Sequence, residues 1–298
     1  MRVTIIGLGL IGGSIAIDLR KKEVATRLIG VDQNDDHQRE ALRLGIVDEV
    51  SNVDEAIKNT DLIILSIPVT AMVGVIGDLL SRVSPDVTLI DMGSTKAAIC
   101  NSVKSHENRD QFVAAHPIAG TENSGPGAAF SGLFNNKTMI VCEKELSSNS
   151  ALEMANKVFT AMGVKTIFMD PVEHDKHVAY VSHLSHVSSF LLGQTVMDIE
   201  KDEKNIFDLA GSGFASTVRL AKSSPDMWAP IFEQNVEYLS QALLEYIMHL
   251  QRFHYHLMKK DSKEIHRIMT EANEIRRVLS GIELKDEKLN KVESLIEE

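Results

Sequence analysis

Val3-Thr4-Ile5-Ile6-Gly7-Leu8-Gly9-Leu10-Ile11-Gly12-Gly13-Ser14 opens the chain as an apolar run, a glycine-rich turn and the start of a helical pattern that continues through Ile15-Ala16-Ile17-Asp18-Leu19. Strand, tight turn and helix in that order form the setting in which G-x-G-x-x-G holds a dinucleotide. Gly7 permits the turn, Gly9 lets a pyrophosphate approach the backbone, and Gly12 lets helix and strand pack closely. Leu10, Ile11 and Gly12 begin the helix with N–H groups that lack an intrahelical partner and can face the phosphates. A second apolar run, Leu28-Ile29-Gly30-Val31, ends at Asp32, close to where a carboxylate reaches the adenosine ribose hydroxyls. Gln33 and Asn34 follow, and neither neutralises a 2′-phosphate, so NAD is expected rather than NADP. A glycine-rich turn without cofactor is the plainer alternative; the strand, the helix and Asp32 together weigh against it.

The rest of the first half repeats this rhythm. Strands are expected at 61–68, 87–91, 111–115, 138–142 and 166–169, with helices at 71–82, 96–104 and 149–162 between them. After Asp170-Pro171 the pattern turns helical, with runs at 172–200, 204–222, 227–258 and 262–280 and a charged end at 284–298. The expected architecture is an N-terminal Rossmann-type, doubly wound parallel α/β sheet followed by an all-helical second domain. The boundary falls between 1–170, for NAD binding, and 171–298, for substrate and dimerisation. Ile231, Val236, Leu239, Leu243, Ile247 and Leu250 recur along one long helical run, an apolar face that a homodimer would bury.

The formal charge of −11 over 298 residues argues against a nucleic-acid surface, which needs a basic face. Two cysteines, Cys100 and Cys142, sit in apolar surroundings and read as reduced core residues rather than a disulfide framework. No stretch approaches the roughly 20 apolar residues of a membrane span. The opening apolar run, broken by glycines and Asp18, is no signal peptide. A cytoplasmic enzyme without membrane partners is expected.

In open α/β sheets ligands sit beyond the carboxyl ends of the strands, where Ser66, Pro68, Ser94 and His116 fall. Ser66 and Pro68 are candidates to border the cofactor. His116 precedes Pro117, which biases it to an extended conformation, and an imidazole there suits taking a hydroxyl proton as hydride leaves the same carbon. His174, His177, His183 and His186 have spacings that mimic a metal site, but no Cys or Asp pattern completes it, and no metal is expected. Trp228 and the methionines of the second half read as packing residues. Lys96 reads either as a solvated first turn or as a phosphate or substrate contact.

Five segments in order, the glycine fingerprint with Gly13-Ser14, Asp91-Met92-Gly93-Ser94-Thr95-Lys96, His116–Glu122 with Ser124-Gly125, Ser182-His183-Leu184-Ser185-His186 and Arg219…Asp226-Met227-Trp228, resemble the prephenate dehydrogenase family of tyrosine biosynthesis. The resemblance implies oxidation of the ring hydroxyl of prephenate with NAD, loss of the ring carboxylate as CO2, and 4-hydroxyphenylpyruvate as product. It implies His116 as catalytic base and Ser94 as the serine that helps hold it. Arg219 would bind a substrate carboxylate, Ser182 and His186 would line the substrate pocket, and Thr121 and Glu122 would lie on a loop closing over it. Several relatives carry an Asp one turn before the arginine, where this chain has Ser216. Arogenate, which differs from prephenate by an amino in place of a keto group, is the alternative substrate. Other Rossmann-plus-helix dehydrogenases would place a catalytic lysine or a different polar set on the second domain, and a non-enzymatic NAD sensor would not need His116, Ser94 and Arg219 together.

Overall fold

In the computed structural model, which describes residues 1–203 and 205–281, the opening run forms β1 (Arg2–Ile6) and the glycine turn leads into α1 (Leu10–Lys21). There follow β2 (Arg27–Val31), α2 (Asp35–Arg43), β3 (Glu49–Val50), α3 (Val53–Ala56), β4 (Leu62–Leu65), α4 (Val69–Arg82), β5 (Thr88–Asp91), α5 (Ala97–Val103) and β6 (Phe112–Pro117). β7 (Thr138–Cys142), α6 (Asn149–Met162) and β8 (Lys165–Met169) complete one eight-stranded sheet of order β3-β2-β1-β4-β5-β6-β7-β8. Successive residues of β4 go to opposite cores: Leu62 and Ile64 pack on one face with Ile15, Leu19 and Phe159, while Ile63 and Leu65 pack on the other with Ile76, Leu80 and Phe112. Strands covered on both faces can be apolar without alternation, which is why these runs read as continuous.

The sheet is not parallel throughout. β6 and β7 pair antiparallel, with His116 opposite Ile140, whereas every other pair is parallel. Between them the chain makes no helical crossover; residues 118–137 form a loop with one short 3-10 turn, Pro126–Ala128. That loop is fastened to α1, where the Ser14 hydroxyl accepts from the Phe130 N–H at 3.1 Å and the Asp18 carboxylate from the Gly132 N–H at 3.0 Å. The helix that frames the glycine turn therefore also anchors the loop carrying Thr121 and Glu122.

From Pro171 the chain is helical. α7 (Pro171–Val178), capped by Asp170, runs through a π-helical turn, Ala179–His183, into α8 (Leu184–Asp202). The helix expected over 204–222 does not form as one. Lys204 lies outside the described residues, and the rest breaks into a 3-10 turn (Phe207–Leu209), α9 (Ser212–Thr217) and a second 3-10 turn (Arg219–Lys222). Gly211 and Gly213, poor helix formers, interrupt the periodicity. The run over 227–258 divides at Asn235 into α10 (Pro225–Gln234) and α11 (Val236–Met258); α12 (Ser262–Ala272) follows, and the segment 284–298 lies outside the described residues.

Met1–Leu239 forms one compact unit and the chain from Ser240 a second, so the helices from Pro171 to Leu239 belong with the sheet. Within the second unit Asp261 caps α12, and Arg252 and Arg267 pair with Glu264. Leu244, Met248 and Met258 are exposed there. Among the described residues no helix is long and apolar enough to cross a membrane.

Candidate active site

The strand order reverses between β1 and β4, and the turns after these strands face one crevice. Gly7 has φ +99°, and a Cβ on it would lie 2.3 Å from the Ser66 carbonyl oxygen. A Cβ on Gly12 would lie 2.1 Å from the Gly7 oxygen and 2.3 Å from Ser66 Oγ, so neither position admits a side chain. Gly9 caps α1 with no side chain, and a Cβ there would meet nothing within 4 Å. The open ground lies over the helix start, where Leu10, Ile11 and Gly12 begin α1, and it fits a pyrophosphate. Ser66 closes the cradle from β4 by donating its hydroxyl to the Gly7 carbonyl at 2.8 Å, and Pro68 starts α4 at the crevice rim.

Asp32 stands immediately past β2. Its carboxylate accepts from the Leu8 N–H at 2.8 Å and the Asn34 N–H at 2.9 Å, and its carbonyl from Gln38 at 2.6 Å. His37 stands 3.5 Å from the same carboxylate. The acid is held at the end of β2 by backbone donors, and the residues present fit NAD.

At the end of β6 the His116 imidazole keeps part of its edge accessible while the ring lies deep in the protein. Its Nδ1 meets His174 Nε2 at 2.8 Å, and His174 Nδ1 meets Asp175 Oδ1 at 2.7 Å. Asp175 in turn accepts from the N–H groups of Lys96 and Ala97 at 2.7 and 2.9 Å, at the start of α5. A carboxylate only accepts, so His174 donates from Nδ1 and its Nε2 is bare. That bare nitrogen accepts from His116, which must carry its proton on Nδ1 and present Nε2 with a free lone pair. Burial holds the His116 pKa well below the usual histidine range, with the charges of His174, Lys96 and His183 acting in the same direction. The imidazole is thus neutral at physiological pH, the state a general base needs.

Lys96 is not a solvated first turn, nor does it reach a phosphate. It is fully buried, donates to Asp91 and, at 2.8 Å, to the Ala115 carbonyl, one residue before His116. Asp91 also accepts from the Ala115 N–H at 3.0 Å, so the pair ties the ends of β5 and β6 together. Ser94 lies half-buried past β5; among the described residues it makes no hydrogen bond to His116, whose Nδ1 is engaged by His174.

On the helical side Arg219 sits on a 3-10 turn rather than a helix. The residue that holds it is Glu122, at 2.8 Å; Ser216 turns its hydroxyl back to the Gly213 carbonyl. The Glu122 carboxyl lies below the usual carboxylate range because its own backbone N–H bonds it and Arg219 and Lys222 stand nearby. Thr121 caps the same loop by accepting from the Asn123 N–H at 3.2 Å. His186 donates from Nδ1 to the Ser182 carbonyl at 3.0 Å and stacks on Trp228 with ring centroids 3.5 Å apart. Burial lowers its pKa and the charge of Arg219 lowers it further, which places the arginine within electrostatic reach. His183 is a packing residue: Asn235 donates to its Nδ1 at 3.0 Å, Trp228 and Phe232 pack against its ring, and burial lowers its pKa to about 4. No group of side chains suited to a metal ion occurs among the described residues.

His174 and Asp175 are the site residues that sequence reasoning missed. The sequence shows His174 as one of four histidines spaced like a metal site, with Asp175 beside it just after the Asp170 helix cap, and nothing in that spacing points to His116, 58 residues earlier.

A glycine cradle at a topological switch point, an acid just past β2 and a neutral, oriented histidine at the end of β6 fit an NAD-dependent dehydrogenase. Its family is also clear. Residues 15–168 match the prephenate dehydrogenase nucleotide-binding domain and 170–271 the prephenate dehydrogenase dimerization domain, and the chain belongs to the prephenate dehydrogenase family. It is 29% identical over 282 residues to a prephenate dehydrogenase of Bacillus subtilis, covering 92% of this chain and 75% of that one. A crystal structure of prephenate dehydrogenase from Aquifex aeolicus with hydroxyphenyl propionate and NAD+ superposes with a TM-score of 0.84 at 30% identity, over 94% of this chain and 98% of that one. Synechocystis arogenate dehydrogenase superposes with a TM-score of 0.71 at 27% identity, over 93% and 99%.

Proposed function

We propose that this chain catalyses the NAD-dependent oxidative decarboxylation of prephenate to 4-hydroxyphenylpyruvate in tyrosine biosynthesis. The observation that carries the reading is the His116 geometry: a neutral imidazole at the end of β6, its Nδ1 proton committed to His174 and its Nε2 left to accept. His116 Nε2 takes the ring-hydroxyl proton. Bound NAD supplies the acceptor for the hydride leaving the same carbon. The new carbonyl is conjugated to the carbon bearing the ring carboxylate, so the electrons released with CO2 have a sink and the ring becomes aromatic. General-base help of this kind contributes about 10²–10⁴ in rate.

Arg219 binds a carboxylate of the substrate dianion, which displaces Glu122 from it. Ser182 and His186 line the pocket, Thr121 and Glu122 belong to the covering loop, and Ser94 borders the nicotinamide end. Gly7, Gly9, Leu10, Ile11, Gly12, Ser66 and Pro68 cradle the dinucleotide and Asp32 bonds its ribose. In functional terms 1–170 binds NAD and 171–298 completes the substrate site and dimerises. The exposed Leu244, Met248 and Met258 of α11 support a homodimer. The two buried thiols, both raised in pKa by burial, fit a reducing compartment such as the cytoplasm.

The test is NADH formation by the purified chain with prephenate or arogenate and NAD or NADP, alongside H116A. Turnover of prephenate with NAD that H116A abolishes, while NAD affinity persists, is the expected result. Activity with arogenate alone would change the substrate and keep the mechanism; full turnover by H116A would refute the base assignment.

A further inference from the structure

The proton taken from the substrate is not released to solvent; it ends on the hydroxyl of the product. When the bond to the ring carboxylate breaks, its electron pair enters the ring, the carbonyl π pair moves onto oxygen, and that oxygen becomes a phenolate that needs a proton. Prephenate dianion and NAD+ give 4-hydroxyphenylpyruvate anion, CO2 and NADH with no net proton released. The proton is borrowed between oxidation and aromatisation, so the site must store it.

His116 alone is a poor store. Its ring contacts His174, with Lys96 and His183 within electrostatic range, and among the described residues no carboxylate bonds it, so a positive charge on it meets cations or a neutral ring. His174 is the better-placed ring: burial lowers its pKa as well and Lys96 adds to that, but Asp175 in direct contact at 2.7 Å and the nearby Asp91 carboxylate favour a charge on it, which His116 lacks. Resting on the assignment of His116 as base, we propose that His174 and Asp175 form a closed proton store, in which His116 Nε2 takes the hydroxyl proton while its Nδ1 proton passes to His174 Nε2. The bonds that break are substrate O–H and His116 Nδ1–H; those that form are His116 Nε2–H and His174 Nε2–H. Charge rests as a His174 imidazolium against the Asp175 carboxylate. On aromatisation both protons step back, His116 Nε2–H to the phenolate and His174 Nε2–H to His116 Nδ1. A store that returns its proton to the same oxygen needs no path to water, and His174 has none: its surface is 0% exposed. Asp175 is fixed for the task by the Lys96 and Ala97 N–H groups, and Asn235 donates to its backbone carbonyl at 2.8 Å. His174 is thus a positioning residue that also holds charge, acting only through His116.

The experiment has two arms on the full chain. Histidine 15N NMR of the protein without substrate, assigned with H116Q and H174Q, should show His116 protonated on Nδ1 and bare on Nε2, with His174 likewise; His116 protonated on Nε2 would overturn the proposal. In steady state, H174Q keeps an amide oxygen to accept from His116 but cannot take its proton. It should lower kcat at least tenfold with the KM for prephenate within twofold, as should D175N; H174Q with kcat within twofold of the parent would overturn the store. H116Q separates the two readings: inactive H116Q beside fully active H174Q leaves the base and removes the store, whereas active H116Q removes both. Because the NMR arm uses the unmutated protein's own signals, a folding defect in a variant cannot mimic the expected result.

Discussion

Replacing Glu122 with glutamine should tighten substrate binding, an unusual direction for a site residue. In the free protein the Glu122 carboxylate occupies Arg219 at 2.8 Å, with the arginine side chain 51% and the glutamate 26% exposed. A pair this open to water is worth about 0.2–1 kcal/mol, and that is the energy a substrate carboxylate must displace. Glutamine offers a neutral competitor, so the apparent KM for prephenate should fall by about 1.4–5-fold with kcat within twofold. R219A moves the other way: loss of a charge-assisted contact of about 1.5–3 kcal/mol lowers kcat/KM by about 10–150-fold. Initial rates of NADH formation across a prephenate series, at low and high salt, measure both, and the gain from E122Q should shrink as salt screens the competing pair. A KM that rises fivefold or more in E122Q would refute the reasoning, because Glu122 would then be holding Arg219 in its binding pose rather than competing for it.

Gly12→Ala forces a Cβ to 2.1 Å from the Gly7 oxygen and should lose both thermal stability and NAD binding, whereas Gly9→Ala meets no atom within 4 Å and should melt like the parent yet bind NAD more weakly; melting curves and calorimetric titration distinguish the two. His183, with a folded pKa of about 4 against about 6.5 unfolded, contributes its full stability above pH 6.5 and loses it as pH falls toward 4, an effect of about 3 kcal/mol. Urea midpoints over that range should fall in the parent and less steeply in H183Q. Lys96→Met leaves Asp91 buried without its cation and should cost about 3–5 kcal/mol by urea unfolding, part of which D91N in the same chain recovers.

The centre of the sheet was readable because β1, β2, β4, β5, β6 and β7 are buried and appear as apolar runs, and because Gly7, Gly9, Gly12 and Asp32 stand at spacings that a strand–turn–helix unit explains. Helix α6 was readable to the residue, between the Ser148 cap and the left-handed Gly163. The direction of β7 was not, since periodicity carries no polarity and the loop over 118–137 gives no sign of where it re-enters the sheet. The break at Asn235 was hidden for a different reason: no proline or glycine marks it, and the residue is drawn out of the helix pattern by bonds to Asp175 and His183. In the site, His116 was visible from its own neighbours, Pro117 and the preceding strand. Its partners were not, because His174 meets His116 across 58 residues and Asp175 meets the start of α5 across 79, and each alone looks like an ordinary helix polar residue.

Asp175 lies just past the point where the nucleotide-binding match ends, yet both its carboxylate oxygens are spent on the amides that begin α5, inside that match. The two halves of the family description are therefore not interchangeable parts. A nucleotide-binding half grafted onto a foreign helical half would keep its glycine cradle and Asp32 and still grip the dinucleotide. It would leave His116 free to protonate on either nitrogen and the first turn of α5 without its acceptor. Recombination at this seam would yield a binder without chemistry, so the dipeptide His174-Asp175 has to travel with the sheet it serves.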